Sequence, residues 1–350
     1  MFVFFGGLFV LALFAALIGP YFIDWSSYRQ DFEREAGRIL GQRVQVLGAA
    51  DARLLPFPSV SFDNVIVGEG QDGRPMMTIE QFSMDVELAP FLSGEIRIFD
   101  MRINNPRGTL RLSSDGELDW ALRNEKVLPG QVLTLESITV TNGQALIIDE
   151  QSDRQHLITD LDVKMSAKSI AGPWQMEGSG EIDGYRGDFE FQTGTQLEEN
   201  RIRLKSRILP AALPISMDLE GDLRIDNLKP LYEGTFDIRA LNPVTSEDAS
   251  GADGKSGRHP VYARATGVFE LNNERLRVED YRLETGEPND PYVVSGEATL
   301  DTGRNPEFLL VADGQQLNLS RMGAAQDNEQ AGDPMALEER LSSLQRFIST

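Results

Sequence analysis

Few residues in this chain have types and spacings suited to chemistry. Gly68-Glu69-Gly70-Gln71-Asp72-Gly73 has the glycine spacing of a dinucleotide fingerprint, which works by bringing backbone N–H groups to a pyrophosphate at the start of a helix. Arg74-Pro75 and a strand-like segment follow it, so no helix N-terminus is on offer and the glycines read as a hairpin loop. Asp160 and Asp162 could be the carboxylate pair of a glycosidase or part of a calcium site. Their spacing of two is also that of the solvent side of an alternating strand, which is the reading adopted. His156 and His259 stand in or beside turns, with no ligand cluster near them in sequence, and read as surface residues. The chain has no Cys, which excludes disulfides, thiolate catalysis and Cys-ligated zinc together. Nor does it contain a Gly-x-Ser-x-Gly elbow, a phosphate loop or a His-Glu-x-x-His pair. The expectation is a protein without catalytic residues, metal or cofactor.

The elements that would position a site are more informative. Residues 1–23 form an apolar run in which Phe2 to Ile23 includes no Asp, Glu, Lys or Arg, enough helix to cross a bilayer core of about 30 Å. Tyr21 and Trp25 fall where an aromatic belt belongs. A cleaved secretory signal would need a basic leader and a small-residue cleavage site, and Gly19-Pro20-Tyr21 supplies neither. The run is therefore read as a retained anchor. Its flanking charges give no clear orientation. Arg29, Arg34, Arg38 and Arg43 follow the span and would hold the long domain in the cytoplasm, while Asp24, Asp31, Glu33 and Glu35 dilute that flank.

Residues 24–41 read as a short amphipathic helix. Trp25, Tyr28, Phe32, Ala36, Ile39 and Leu40 supply its apolar side, and Gly41 is a natural stop. The stripe suits either capping of the sheet that follows or contact with the membrane surface; capping is the expectation. From Val44 the apolar period becomes two. In Phe82-Ser83-Met84-Asp85-Val86-Glu87-Leu88 every apolar side chain faces one way. Further runs recur to about Val311, separated by Gly, Pro, Asn and Asp clusters that suit hairpins. Trp174 to Gly184, Leu219 to Asp226 and Tyr292 to Asp301 resemble one another, each a strand with Gly near its middle followed by an Asp-bearing turn. Interior Gly in a strand marks a bend or bulge, so the sheet is expected to curl.

The fold class expected is mainly β. A transmembrane helix and a short amphipathic helix lead into an extended, curled, groove-like antiparallel sheet over residues 44–322, and a C-terminal helix follows at 333–350. Residues 243–260 read as a mobile surface loop. The terminal helix opens at Asp333-Pro334 and has Leu337, Leu341, Leu344 and Ile348 on one face. Its pattern breaks off at Thr350, which predicts a longer natural chain.

Composition narrows the partners. A net charge of −22 argues against nucleic acid, which needs a basic footprint, and against docking to anionic lipid through a polybasic face.

The anchor and the segment behind it resemble the AsmA family of bacterial envelope proteins. The matching residues are Trp25, Tyr28-Arg29, Phe32-Glu33, Ala36-Gly37-Arg38, Leu40-Gly41, Gly48, Asp51, Arg53-Leu54-Leu55-Pro56, Pro58 and Asp63-Asn64-Val65. They continue through Pro90-Phe91-Leu92-Ser93-Gly94-Glu95-Ile96, Asn105-Pro106 and Asp115-Gly116-Glu117-Leu118-Asp119-Trp120. The resemblance is dense over the first third of the chain. It implies an inner-membrane anchor with the domain in the periplasm, a β-groove akin to the chorein-type lipid carriers, and a role in outer-membrane biogenesis.

Alternation alone leads to a similar place. Many strands with one apolar face and little helix to cover it must either fold onto a second sheet or leave an apolar trough. A trough for phospholipid acyl chains would be lined by Phe82, Met84, Val86, Leu88, Phe99, Met101, Ile103, Ile138 and Val140. The other possibility is a closed interaction module whose strand edges recruit outer-membrane assembly factors. An envelope hydrolase is the least supported class.

Overall fold

A computed structural model describes residues 29–53, 57–70, 73–87, 96–119, 133–150, 152–169, 172–194, 201–226, 229–241, 262–287, 290–301 and 306–314. The expected anchor at 1–23, Trp25, Tyr28, Leu88, the loop at 243–260 and the helix at 333–350 lie outside the described residues. No helix among the described residues is long and apolar enough to cross a membrane.

Helix α1 (Arg29–Leu40) has Asp31 in its first turn and Arg38 in its last, each charge opposing the nearer end of the helix dipole. Gly41 ends it at a left-handed φ of 66°. Seventeen strands follow in one sheet: β1 (Val44–Val46), β2 (Ala50–Arg53), β3 (Ser59–Val67), β4 (Met77–Val86), β5 (Ile96–Asn104), β6 (Arg107–Leu112), β7 (Leu133–Asp149), β8 (Arg154–Ala167) and β9 (Trp174–Ile182). Then come β10 (Tyr185–Thr193), β11 (Arg201–Pro210), β12 (Ile215–Asp226), β13 (Lys229–Ala240), β14 (Tyr262–Asn272), β15 (Arg275–Glu287), β16 (Asp290–Asp301) and β17 (Phe308–Gly314).

Strands β1 and β2 pair end to end along one side of β3, and β4 takes the other. From β7 to β17 each strand pairs antiparallel with the next. The expectation of a wholly antiparallel sheet needs one correction, because β5 and β6 both run parallel to β7. The two form one line broken at Asn105-Pro106. The chain must then pass from one end of the sheet to the other before β7, as a parallel pair requires. The β9–β10 hairpin turns through Asp183 and Gly184, both at positive φ, the pair that a tight two-residue turn demands.

A crease crosses the early strands. Asn64 in β3, Asn105 between β5 and β6, Asn142 in β7 and Asp160 in β8 all adopt φ between 49° and 54°, which Asn and Asp tolerate better than other side chains. Asn142 Nδ2 bonds to Asn105 Oδ1, the Asn142 amide donates to Asp162 Oδ1 at 2.8 Å, and Asn104 Nδ2 donates to Gln81 Oε1 at 3.2 Å. Past the crease the apolar side passes to the alternate residues, so Val65, Val67 and Ile79 join Phe62 in one buried cluster with Val44 and Val46.

The sheet is strongly coiled. Gly116, just after β6, meets Asn273 in the β14–β15 turn so closely that an added Cβ would lie 2.3 Å from Asn273 Nδ2. Eight inter-strand steps separate β6 from β14, about 38 Å in a flat sheet.

Candidate functional site

One line of side chains runs across the sheet through successive cross-strand partners. It passes from Phe62 through Phe82, Ile103, Val140 and Val163 to Gly178. It continues through Phe189, Ile208, Met217, Ile238, Ala265 and Leu283 to Val294 and Gly314. Facing residues of paired strands share one side of a sheet, so fourteen strands place an unbroken apolar row on the same side. The row one residue along is polar throughout. It runs Ser61, Ser83, Arg102, Thr139, Lys164, Glu177 and Glu190, then Arg207, Asp218, Asp237, Thr266, Arg282, Ser295 and Asp313.

The polar side is tied by charge pairs. Arg207 Nε reaches Asp218 Oδ1 at 2.7 Å, and Arg264 binds both oxygens of Asp237, Nε to Oδ1 at 2.9 Å and Nη2 to Oδ2 at 2.7 Å. Hydrogen bonds from Arg239 and then Arg264 hold the Asp237 carboxyl far below the usual carboxylate range. Bonds from Arg201 lower Asp222 in the same direction.

What covers the apolar side changes along the chain. At the start, α1 lies on it. The Phe32 ring stacks on Phe62 at 3.9 Å and stands 5.9 Å from Phe82, and Ala36 and Leu40 pack against the same cluster. Two hydrogen bonds fasten the helix: the Val46 amide donates to Glu33 Oε1 at 2.7 Å and Arg29 Nη2 donates to the Gly48 carbonyl at 2.9 Å. A second cluster holds Ile98, Leu135, Ile138 and Ala167, with Met84, Val86, Met101, Ile103, Met165 and Trp174 against it. Beyond β8 no cover lies over it among the described residues. Among the described residues, twelve of the thirteen buried hydrophobic side chains precede residue 168, and the exception is Phe269. Among the described residues, extensive contacts are confined to ladder neighbours and to α1 with β1. Strands β9 to β17 thus present their apolar side as a half-buried trough with no second layer among the described residues.

Aromatic rings close over glycines on its floor, Phe236 at Gly267 and Phe189 at Gly178. An added Cβ at Gly267 would come within 2.8 Å of the Phe236 ring and 2.3 Å of the Asp280 carbonyl. Gly221 and Gly234 face each other across β12 and β13 with no room for a Cβ on either. Omitting side chains there lets the strands bend sharply toward the apolar side.

Of the expected trough residues, Phe82, Met84, Val86, Met101, Ile103, Ile138 and Val140 share this side. Phe99 does not join them, because the ladder shifts between Asp85 and Val86, Ile98 takes its place, and Phe99 packs edge-on to Phe57 at 5.2 Å. Leu88 lies outside the described residues. Phe32, Ala36 and Leu40 of the membrane-proximal set meet the sheet, while nothing is described of Trp25, Tyr28 or the Ile39 side chain. The larger part of the trough, from Met176 on β9 to Leu310 on β17, was present in the sequence as alternation but was not assigned to the site. Strand β10 was missed, since only Phe189 and Phe191 mark it in a run of polar residues and glycine.

The chemical candidates take ordinary places. Gly68, Gly70 and Gly73 lie between β3 and β4, with Gly70 N–H on the Arg74 carbonyl at 2.7 Å. His156 Nδ1 lies 2.6 Å from Asp183 Oδ2 beside the β9–β10 turn, and His259 is outside the described residues. Asp160 and Asp162 sit in the crease, and no group of three potential metal ligands occurs among the described residues.

The structure is that of a single-layer, coiled β trough with an amphipathic helix closing its first strands. The chain belongs to the AsmA family, whose model matches residues 1–207. No curated protein and no solved structure matches it. Family membership and the large β-sheet fit an envelope-related role.

Proposed function

We propose that this protein is a non-enzymatic phospholipid carrier, anchored in the inner membrane by residues 1–23, with its sheet in the periplasm. It holds or conducts lipid between membranes in outer-membrane biogenesis. The observation that carries this reading is the apolar row from Phe62 to Gly314, uncovered beyond β8 among the described residues and backed by an equally continuous polar row. Acyl chains laid in the trough take the place of the missing second layer, at about 0.8 kcal/mol for each methylene removed from water. Helix α1 follows the anchor in the chain and packs on the first strands of the trough, the end at which lipid leaving the inner membrane would arrive. The direct test is native mass spectrometry of the protein purified from bacterial envelopes. Phospholipid at a reproducible stoichiometry is the expected result, and a folded, lipid-free protein would refute the carrier.

One observation favours a second reading, an interaction module for outer-membrane assembly factors. Strand β17 pairs only with β16 among the described residues, and Phe308, Leu309, Leu310 and Val311 are all exposed. An apolar free edge can add a strand from a partner. Lipid-free protein that captures a defined envelope partner through β17 would favour that reading.

A further inference from the structure

The coil of the sheet brings two turns together that the pairing order keeps far apart. Leu112 at the end of β6 is in line with Asp149 and Arg154, on the same rim of the sheet as the Ile182, Pro210 and Ala240 ends of β9, β11 and β13. The β14–β15 turn belongs to the opposite rim, beside Leu231 near the start of β13. Contact between Gly116 and Asn273 thus joins the two long rims of the trough.

Both partners are firmly built. In the turn after β6 the Ser113 amide donates to the Glu117 carbonyl at 2.8 Å, and the Gly116 amide donates to the Ser113 carbonyl at 2.9 Å. Arg111 ties its base to Glu150 at 3.0 Å. Across the mouth, Asn272 Oδ1 accepts the amides of Glu274 and Arg275, each at 2.8 Å, which fixes the tip bearing Asn273. Gly116 is buried although Asp115 and Glu117 beside it are exposed. Its φ of 77° and the lack of room for a Cβ make glycine the residue that admits this approach.

We infer that the Gly116–Asn273 contact is a clasp across the mouth of the trough, and that a lipid passing from the α1 end toward β15–β17 must open it. This rests on the carrier reading above. Acyl chains lie on the trough floor and can pass beneath the clasp, but a hydrated headgroup stands out of the mouth and meets it. Asp115 and Glu117 flank Gly116 in the chain and Glu274 follows Asn273, while the next residue, Arg275, is paired with Asp301 at 3.1 Å.

The chain has no cysteine, so Asp115→Cys with Asn273→Cys introduces just two thiols and leaves the left-handed glycine untouched. The full-length protein in its native membrane is locked with a short bismaleimide. Photo-crosslinking side chains at Met84, on the α1 side, and at Val294, beyond the clasp, then report lipid. The expected result is efficient cross-linking, lipid capture at Met84 unchanged, and capture at Val294 reduced at least tenfold relative to the single-cysteine proteins treated alike. Equal capture at Val294 in fully locked protein would overturn the clasp as a gate. So would the absence of a cross-link between two thiols that each label freely. No lipid at either position before locking would instead overturn the carrier reading itself.

Discussion

Met217 offers the sharpest test of the trough, because it sits in the apolar row between Ile208 and Ile238, well beyond the last buried cluster. Strands stand about 4.8 Å apart, so a lipid chain following the row lays about four methylenes over each strand, each worth about 0.8 kcal/mol when buried. Met217→Asp places a hydrated carboxylate under them and forfeits about 3 kcal/mol, roughly a hundredfold in affinity. The fold should survive, since Met217 is half-buried and β12 makes extensive contacts only with β11 and β13. The matched control is Ser295→Asp, which adds the same group on the polar row opposite Arg282. Lipid retained after purification and the affinity for a fluorescent phospholipid should fall for Met217→Asp and stay level for Ser295→Asp, with far-ultraviolet circular dichroism unchanged in both. Wild-type lipid binding by a folded Met217→Asp protein would refute the reasoning, as would equal losses in the two variants.

Two further outcomes test what holds the trough in place. Phe32→Ala removes the stack on Phe62 and the contact with Phe82, and should weaken docking of α1 by about 3 kcal/mol, the lower end for a truncated Phe, since the ring is half-buried. A twelve-residue helix does not hold alone in water, so its amides should lose hydrogen-exchange protection; unchanged protection would count against capping. Asp237→Asn tests the polar side: with its folded pKa depressed by Arg239 and Arg264, the wild-type carboxylate contributes stability above its unfolded pKa of about 3.9 and loses it as pH falls through the lower folded value. The melting-temperature gap between wild type and Asp237→Asn should therefore be full at pH 6 and shrink below about pH 4; a gap independent of pH would show that the ion pairs are not its source.

The period of two made the sheet legible, and with it the apolar side, because strand side chains alternate without regard to what they pack against. Trough residues on β4 and β7 followed directly. Phe99 did not, because a bulge adds a residue and reverses which side the next one faces, so Ile98 took the position. The crease was hidden for a related reason. Asn105 and Asn142 stand in Asn-Pro and Asn-Gly neighbourhoods that suit turns, and nothing around Asn64 marks it as a hinge. Inside paired strands they act as left-handed hinges instead, a role fixed by the neighbouring strands. The parallel crossing to β7 and the meeting of Gly116 with Asn273 depend on how the whole sheet coils, which no local pattern encodes.

The distribution of burial argues for a carrier more strongly than the shape of the sheet alone. A closed β sandwich would bury side chains evenly along the chain, because each apolar row would face another across about 10 Å. Here burial is concentrated before residue 168, under α1 and in the cluster around Ile98 and Leu135. The later strands keep the same apolar row but leave it half-exposed, and their extensive contacts stop at the ladder. Such strands hold together through backbone hydrogen bonds and the charge pairs of the polar side, each surface pair worth at most about 1 kcal/mol. Fourteen strands would not keep one row free of polar side chains if that row faced water alone, since every position on it would then tolerate polar replacement. Among the described residues nothing supplies that layer, and a chain of methylenes is a surface that matches an unbroken apolar row with no hydrogen-bonding groups along its length.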